Sequence, residues 1–185
     1  MTADRPSLSI DDLDVVAPGA FVAAVAPLFE GARGFLGRLA VARPFGSADD
    51  MFVRAREIAH AMPLDEQLEL IDAHPRLGAP PATVSALSHA EQGYGSRPAR
   101  ADDDAAERQR VAAELDRLND VYEARFGFRY CVFVAGRPLA ALLPELAAAL
   151  EADRDAEIER ALDAVVDIAR ARYATLSASG TEGRA

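Results

Sequence analysis

Apolar side chains recur at the spacing of one helix face along almost the whole chain, and a single short run is typical of a β-strand. That run covers residues 128–135 (Phe-Arg-Tyr-Cys-Val-Phe-Val-Ala), and no second run of this kind could pair with it. Because a lone strand cannot satisfy its backbone hydrogen bonds, we expect an extended segment lodged between helices. The pattern predicts an all-α fold, a single compact, bundle-like domain of about eight helices.

Capping residues and prolines indicate where the helices begin and end. A helix that starts after Ser9 has Pro27 within its apolar face, so we expect it to be kinked or short. Ser47 has the position of an N-cap for the next long helix. The run over residues 88–91 (Ser-His-Ala-Glu) has the spacing of a capping box, which predicts a helix start after a long loop over residues 75–87. Further helices are expected over residues 35–40, 64–71, 102–126, 144–152 and 154–177.

The predicted helical domain covers residues 9–177. Residues 1–8 are expected to form a flexible N-terminus, and residues 178–185, which are small and polar, a flexible tail. No internal repeat, low-complexity block or linker divides the sequence between them. We therefore expect one domain.

Charge and composition argue against several classes of protein. The chain has 20 Lys and Arg residues against 30 Asp and Glu residues, and a formal net charge of −10 disfavours binding to nucleic acid. No apolar run approaches the ~20 residues of a membrane span, and the N-terminus lacks the regions of a signal peptide. A single cysteine, Cys131, excludes an internal disulfide and fits a reducing compartment. We expect a cytoplasmic protein that binds neither nucleic acid nor membrane.

The common signatures of metal and nucleotide sites are missing from the sequence. Its three histidines, His60, His74 and His89, include no pair at metal-ligand spacing, so we expect no bound metal. Nor is there a P-loop, a G-x-G-x-x-G motif or a G-x-S-x-G motif. Cys131 lies in an apolar run and is most simply a small buried side chain.

His74 is the first candidate for chemistry, because it should lie at or just past a helix C-terminus, before Pro75 and a loop rich in proline. Its imidazole could act as a general acid or base. Equally, a partly exposed histidine could simply stabilise the negative end of the helix. Ser88, Glu91 and Gln92 also allow two interpretations: a helix cap, or a corner at a helix N-terminus that binds oxygen and amide groups.

Arg172 falls within a series of apolar residues at the spacing of one helix face, which should turn its side chain inward. A buried guanidinium is costly without a partner, so we expect it to meet a carboxylate of the protein or of a ligand. The alternative is that its charged end reaches solvent near the end of the helix. The series consists of Ile158, Leu162, Val165, Ala169, Arg172 and Leu176.

Three motifs together resemble those of a known family. They are His74-Pro75-x-Leu77, then Ser88-x-x-Glu91-Gln92, then the run from Asn119 to Arg125 that leads into Phe126-Gly127-Phe128 and the apolar residues. In this order and spacing they resemble the OHCU decarboxylases, which act on 2-oxo-4-hydroxy-4-carboxy-5-ureidoimidazoline in the urate-to-allantoin pathway. The resemblance covers roughly residues 9–177.

The resemblance implies an all-helical fold, no cofactor, a homodimer, and a small-molecule substrate that is decarboxylated to (S)-allantoin. It implies that His74 is the catalytic acid/base and that Glu91 is its catalytic partner. Contacts with the substrate are implied for Pro75, Ser88, Gln92, Arg172 and the backbone of Tyr130, Cys131, Val132, Phe133 and Val134. We therefore expect His74, Glu91 and Arg172 to line a common pocket.

The chain departs from the family pattern at Arg76 and Gly78, and at Arg129-Tyr130, where Pro-Phe is common. Three alternatives stay open at this point. The chain could be a decarboxylase of a related ureido acid, or a non-catalytic helical module that binds a small acidic ureido ligand. It could also be a metal-dependent hydrolase that uses His74 and Glu91.

Overall fold

The computed structural model describes residues 8–80, 84–92 and 103–182. Across these ranges the chain forms nine α-helices and no β-strand, which confirms the predicted all-α class. In the same part of the chain, no helix has both the length and the apolar character that a membrane crossing requires. The α-helices are α1 (Ile10–Val15), α2 (Pro18–Val25), α3 (Arg33–Val41), α4 (Ala48–Ala61), α5 (Leu64–Asp72), α6 (Ala86–Glu91), α7 (Asp103–Phe126), α8 (Leu143–Ala149) and α9 (Arg154–Glu182), and 3₁₀ helices cover Ala26–Phe29 and Leu139–Leu142.

The described residues divide into two compact units. The first unit contains α1 to α5 and the part of α9 from Leu162 onward. The second unit runs from His74 to Ala161 and contains α6, α7, α8 and the first part of α9. The extent of the domain over residues 9–177, and its flexible ends, stay predictions. α9 itself continues to Glu182, past its expected end at residue 177.

Prolines divide the first helical region as their chemistry requires. α1 ends at Val15, α2 begins with Pro18, and Pro27 falls in the first turn of a 3₁₀ helix. Proline has no backbone N–H and clashes with the preceding turn, so a helix tolerates it only at its start. The region that was expected to be a kinked or short helix is therefore a series of short ones.

Helix α3 contacts α2, α4 and α5 within the first unit. Phe35, Leu36, Leu39 and Ala40 are its buried residues and share one face. The ring of Phe35 lies 4.6 Å from the ring of Phe29, between centroids. Because full burial of a large apolar side chain contributes about 1.5–3 kcal/mol, this face is a main source of stability for the unit.

Of two predicted N-caps, one is confirmed and one is wrong. At the start of α4, Ser47 Oγ accepts a hydrogen bond from the N–H of Asp50 at 3.0 Å. At α6 the cap is Ser85, whose Oγ accepts from the N–H of Ser88 at 3.2 Å. A capping residue needs an extended backbone outside the helix, and Ser85 has one, whereas Ser88 already lies within the helix. Glu91 is the last helical residue, so the expected corner at a helix N-terminus is also wrong.

Aromatic rings form much of the core of the second unit. The Tyr122 ring on α7 lies 4.6, 5.6 and 5.2 Å, between centroids, from the rings of Phe126, Phe128 and Tyr130. Residues 128–134 are neither helical nor in a strand, as the lack of a pairing partner predicted. Gly127 makes the turn from α7 into this segment, because its φ of +79° is a backbone conformation that glycine adopts readily.

Two glycine-to-alanine substitutions test the helix assignments. Gly127→Ala should lower the free energy of unfolding by about 1 kcal/mol, because a Cβ disfavours the left-handed backbone at that residue. Gly37→Ala should raise it by about 0.5–1 kcal/mol, because Gly37 is an exposed position inside α3 where a Cβ meets nothing. Urea unfolding curves measure both changes. Equal stability of the two variants would contradict the assigned end of α7.

Candidate active site

His74 lies just beyond α5, in a buried position at the start of the second unit. α5 ends at Asp72, Ala73 is its C-cap, and His74 is only 3% exposed. The prediction that His74 follows a helix C-terminus is confirmed, and the alternative of a partly exposed histidine is excluded by its burial. The backbone carbonyl of His74 accepts a hydrogen bond from Arg129 Nη1 at 3.0 Å. Arg129, near the start of the non-helical residues 128–134, therefore holds the backbone of the candidate acid/base.

The side chain of Gln92 holds the loop that follows His74 and Pro75. Its Oε1 accepts a hydrogen bond from the N–H of Gly78 at 2.8 Å, and its Nε2 lies 3.4 Å from the carbonyl of Arg76. Gln92 is the C-cap of α6, so these contacts bring the end of that helix against the loop. The same contacts show that the His74-Pro75 motif and the Glu91-Gln92 motif, which are separate in sequence, lie next to each other within the second unit.

Helix α7 holds the same loop through one of its faces. The buried Asn119 donates from Nδ2 to the carbonyl of Leu77 at 2.9 Å. Leu115 lies one turn earlier on that face, and a Cβ built on Gly78 would come within 2.9 Å of its Cδ1. Gly78 also has a φ of +79°, a left-handed backbone conformation that strongly favours glycine, and any larger residue would in addition displace the end of the Leu115 side chain.

Arg76, one of the departures from the family pattern, ties the loop to α7 by charge. Its Nη2 lies 2.6 Å from Asp120 Oδ1, and its Nε lies 2.8 Å from Glu123 Oε1. Partial burial acts to lower the pKa of Arg76, but the hydrogen bond to Asp120 and the charge of Glu123 outweigh it, so this pKa lies above its usual value. The guanidinium therefore stays charged, and it neutralises carboxylates that would otherwise repel each other.

Arginine side chains already occupy several carbonyl oxygens of the segment that was expected to bind the substrate. Arg160 Nη1 donates to the carbonyl of Cys131 at 2.8 Å. Arg137 donates from Nη2 to the carbonyl of Phe133 at 2.8 Å and from Nε to that of Val134 at 3.0 Å. These contacts satisfy carbonyl groups that no strand partner satisfies, and they fix the course of the segment.

The N–H groups of the segment have a different environment from its carbonyls. Val132 and Phe133 are half-buried, and among the described residues no backbone acceptor receives a hydrogen bond from either N–H. Tyr130 and Cys131 are buried. The N–H groups of Val132 and Phe133 are therefore candidate donors to a ligand.

Four functional or supporting residues were missed from the sequence: Arg129, Arg137, Glu157 and Arg160. Each arginine bonds a backbone carbonyl, and no spacing rule for motifs identifies a contact of that kind. One signal was available for the last two residues. Glu157 and Arg160 are three positions apart on α9, the spacing of an ion pair on one helix face, and Glu157 is buried.

Arg172 belongs to the first unit, where its side chain is buried as the helical spacing predicted. Its guanidinium lies 2.9 Å from Glu30 Oε1, and Nη1 donates to the carbonyls of Pro27 at 3.0 Å and Leu28 at 3.3 Å. The expectation that it meets a carboxylate is confirmed, and the carboxylate belongs to the protein. Its exposure of 2% excludes a charged end that reaches solvent. Its contact with the substrate stays a prediction.

Ser88 and Glu91 stand one turn apart on α6 and differ in exposure. Ser88 is buried and Glu91 is half-buried at the last helical position. Among the side chains that the structure describes, no three His, Cys, Asp or Glu residues are grouped as metal ligands would be. The common pocket expected for His74, Glu91 and Arg172 stays a prediction.

Comparison with known proteins gives a family match over most of the chain. The sequence model of the OHCU decarboxylase family matches residues 15–174. The uric acid degradation bifunctional protein of Bacillus subtilis (strain 168) is 32% identical over 171 residues, which are 91% of this chain and 32% of that protein. The 2-oxo-4-hydroxy-4-carboxy-5-ureidoimidazoline decarboxylase of Haloferax volcanii is 28% identical over 167 residues, 90% of this chain and 95% of that protein. The chain thus spans about a third of the length of the bifunctional relatives.

Two solved structures share the fold. A crystal structure of an OHCU decarboxylase in the presence of (S)-allantoin superposes with a TM-score of 0.64 at 23% identity, covering 83% of this chain and 96% of the other. A crystal structure of an (S)-allantoin synthase gives a TM-score of 0.61 at 17% identity, covering 90% of this chain and 53% of the other.

Charge reversal tests whether Arg76 holds the loop to α7. Arg76→Glu should lower the free energy of unfolding by about 2 kcal/mol, because it places a third carboxylate beside Asp120 and Glu123. Adding Glu123→Arg should restore at least about 1 kcal/mol by recreating an ion pair. Urea unfolding of the single and double variants measures this coupling.

The matched control for that pair lies on the same helix. Arg117→Glu breaks an exposed ion pair with Glu114 and should change stability by no more than about 0.5 kcal/mol. Additive effects of Arg76→Glu and Glu123→Arg would show that the two residues do not act together.

Proposed function

We propose that this chain, which belongs to the OHCU decarboxylase family, decarboxylates 2-oxo-4-hydroxy-4-carboxy-5-ureidoimidazoline to (S)-allantoin in urate degradation. It is a carboxy-lyase that works without a cofactor. The observation that carries the proposal is the family match over residues 15–174, since it includes every candidate residue of the site. The archaeal relative of nearly the same length bears the name of this activity.

The chemistry of the substrate suits a site made of side chains and backbone alone. The substrate has its carboxylate next to a ring C=N. When the bond to the carboxylate breaks, CO₂ leaves, and the electron pair that stays behind delocalises into the C=N. The protein must therefore supply orientation, a place for the developing charge and one proton delivered to a single face of the new centre.

The second unit supplies these functions from residues near one loop. His74 accepts the proton of the ring hydroxyl or donates one to the new carbon. Its burial and the hydrogen bond from Arg129 to its backbone carbonyl support this role. Glu91 acts as its partner. Pro75, Ser88 and Gln92 contact the substrate, and Gln92 also holds the loop through Gly78.

Two further contributions complete the proposal for the substrate. The N–H groups within residues 130–134 donate to the oxygen atoms of the ureido and ring groups. Arg172 stays the predicted ligand for an acidic group of the substrate, and in the first unit its guanidinium is paired with Glu30. The protein is a homodimer in the cytoplasm.

The test compares two histidine variants in a chiral assay. Urate is oxidised in situ, the intermediate is formed in the cuvette, and circular dichroism follows the appearance of (S)-allantoin with and without protein. His74→Gln should reduce the rate at least about 100-fold, the usual contribution of a general acid or base. His60→Gln is the matched control and should retain the rate, since His60 lies on α4 with its Nε2 2.9 Å from Asp163 Oδ1.

Three results distinguish the possible functions. Racemic allantoin at the uncatalysed rate with the unmodified protein would contradict the decarboxylase. Binding of (S)-allantoin without any turnover, and unchanged in His74→Gln, would indicate a binding module instead. Loss of activity with a chelator would indicate the metal-dependent hydrolase.

A further inference from the structure

Arg160 makes three kinds of contact at the segment that is proposed to bind the substrate. Its Nη1 donates to the carbonyl of Cys131 at 2.8 Å. Its guanidinium lies over the ring of Tyr130, with Cζ 4.6 Å from the centroid. On its other side, Nε and Nη2 lie 2.9 and 2.8 Å from Glu157 Oε2. A single side chain on α9 therefore contacts two adjacent residues of the segment and a buried carboxylate.

Glu157 is itself held in place, which fixes the position of Arg160. Glu157 is 4% exposed, and its Oε2 accepts a hydrogen bond from the hydroxyl of Tyr122 at 2.7 Å. Burial acts to lower the pKa of Arg160, but the hydrogen bond to Glu157 outweighs it, so the pKa lies above its usual value. The guanidinium is therefore a permanently charged donor, anchored at one end and directed at a carbonyl at the other.

The geometry of the peptide bond transmits this contact to Val132. The peptide between Cys131 and Val132 is trans, since the cis bond recorded among the described residues is Arg43-Pro44. In a planar trans peptide the C=O and the N–H point in opposite directions. Because Arg160 holds the carbonyl of Cys131, the N–H of Val132 points away from Arg160. Among the described residues, no backbone carbonyl accepts a hydrogen bond from that N–H, and Val132 is half-buried rather than buried.

We propose that Arg160 is a positioning residue for substrate binding: by holding the Cys131 carbonyl it directs the N–H of Val132 at a carbonyl oxygen that the ureido substrate shares with (S)-allantoin. The inference rests on the proposed function, because it assigns a donor for the substrate of that reaction. Arg160 does not touch the substrate itself. Arginine is required because its planar fork reaches the carboxylate and the carbonyl at once, whereas a lysine ammonium has no such fixed pair of directions.

The experiment compares Arg160→Lys with Arg154→Lys. Arg154 is a matched control, because it also lies on α9, donates to a backbone carbonyl (Phe126, 2.8 Å) and has its guanidinium over an aromatic ring (Phe128). Both variants keep their positive charge. The readouts are the ¹H–¹⁵N resonance of Val132 during titration with (S)-allantoin, the dissociation constant of (S)-allantoin, and kcat and KM in the chiral assay.

The expected results separate positioning from a general effect on folding. In the unmodified protein the Val132 amide resonance should move during the titration. Arg160→Lys should shift this resonance in the free protein, weaken (S)-allantoin binding about tenfold and raise KM by a similar factor with kcat changed much less, because a contact made equally in the ground and transition states is lost. Arg154→Lys should stay within about twofold of the unmodified protein in every readout.

Several outcomes would overturn the inference. The inference is contradicted, while the proposed function stands, if Arg160→Lys binds (S)-allantoin as tightly as the unmodified protein does. It is also contradicted if the Val132 amide resonance does not move during the titration. If Arg160→Lys does not fold, Glu157→Gln takes its place, since it weakens the anchor but keeps Arg160, and it should give a smaller loss of the same kind. Unmodified protein that neither binds (S)-allantoin nor accelerates the reaction contradicts the proposed function, and the inference with it.

Discussion

The hydrogen bonds of the Gln92 side chain to the loop after His74 are the contacts on which the candidate site depends. Pro75 prevents α5 from continuing, and Gly78 has a left-handed backbone. Within the loop the N–H of Ala79 donates to the carbonyl of Arg76 at 3.1 Å, and side chains from outside the loop bond the groups at Leu77 and Gly78. The Oε1 of Gln92 accepts a hydrogen bond from the N–H of Gly78, and its Nε2 donates to the carbonyl of Arg76. Asn119 of α7 supplies the third contact, at Leu77. Without these partners the loop would have several arrangements, and His74 would have no defined orientation.

Arginine side chains also hold irregular backbone in the second unit. The overall charge is −10, yet Arg129, Arg137 and Arg160 each donate to carbonyl groups in the loop at His74 or in residues 128–134. A guanidinium has five donors in a fixed plane, so one side chain can bond a carbonyl and a carboxylate together. Arg129 and Arg76 depart from the family pattern, and both support the His74 loop. These departures therefore have a structural explanation at the site itself.

Local patterns predicted much of the fold and only part of the site. Periodicity and capping preferences predicted the all-α class, the Ser47 cap and the inward side chain of Arg172. These are local effects, because each depends on residues a few positions apart in the sequence. The prediction of an N-cap at Ser88 was wrong because Ser85, three residues earlier, has the same hydroxyl group and an extended backbone. The contact between Arg160 and Cys131 joins residues 29 positions apart, and no local rule reaches that far.

Hydrogen exchange of the Gly78 amide measures most directly whether Gln92 holds the loop. The amide should be protected in the unmodified protein and should lose most of that protection in Gln92→Ala, because its acceptor is removed. The Gly127 amide, which donates to the carbonyl of Glu123 at 2.9 Å, should exchange equally in both proteins and so serves as the internal control. A Gly78 amide that exchanges freely in the unmodified protein, or keeps its protection in Gln92→Ala, would contradict this description of the site.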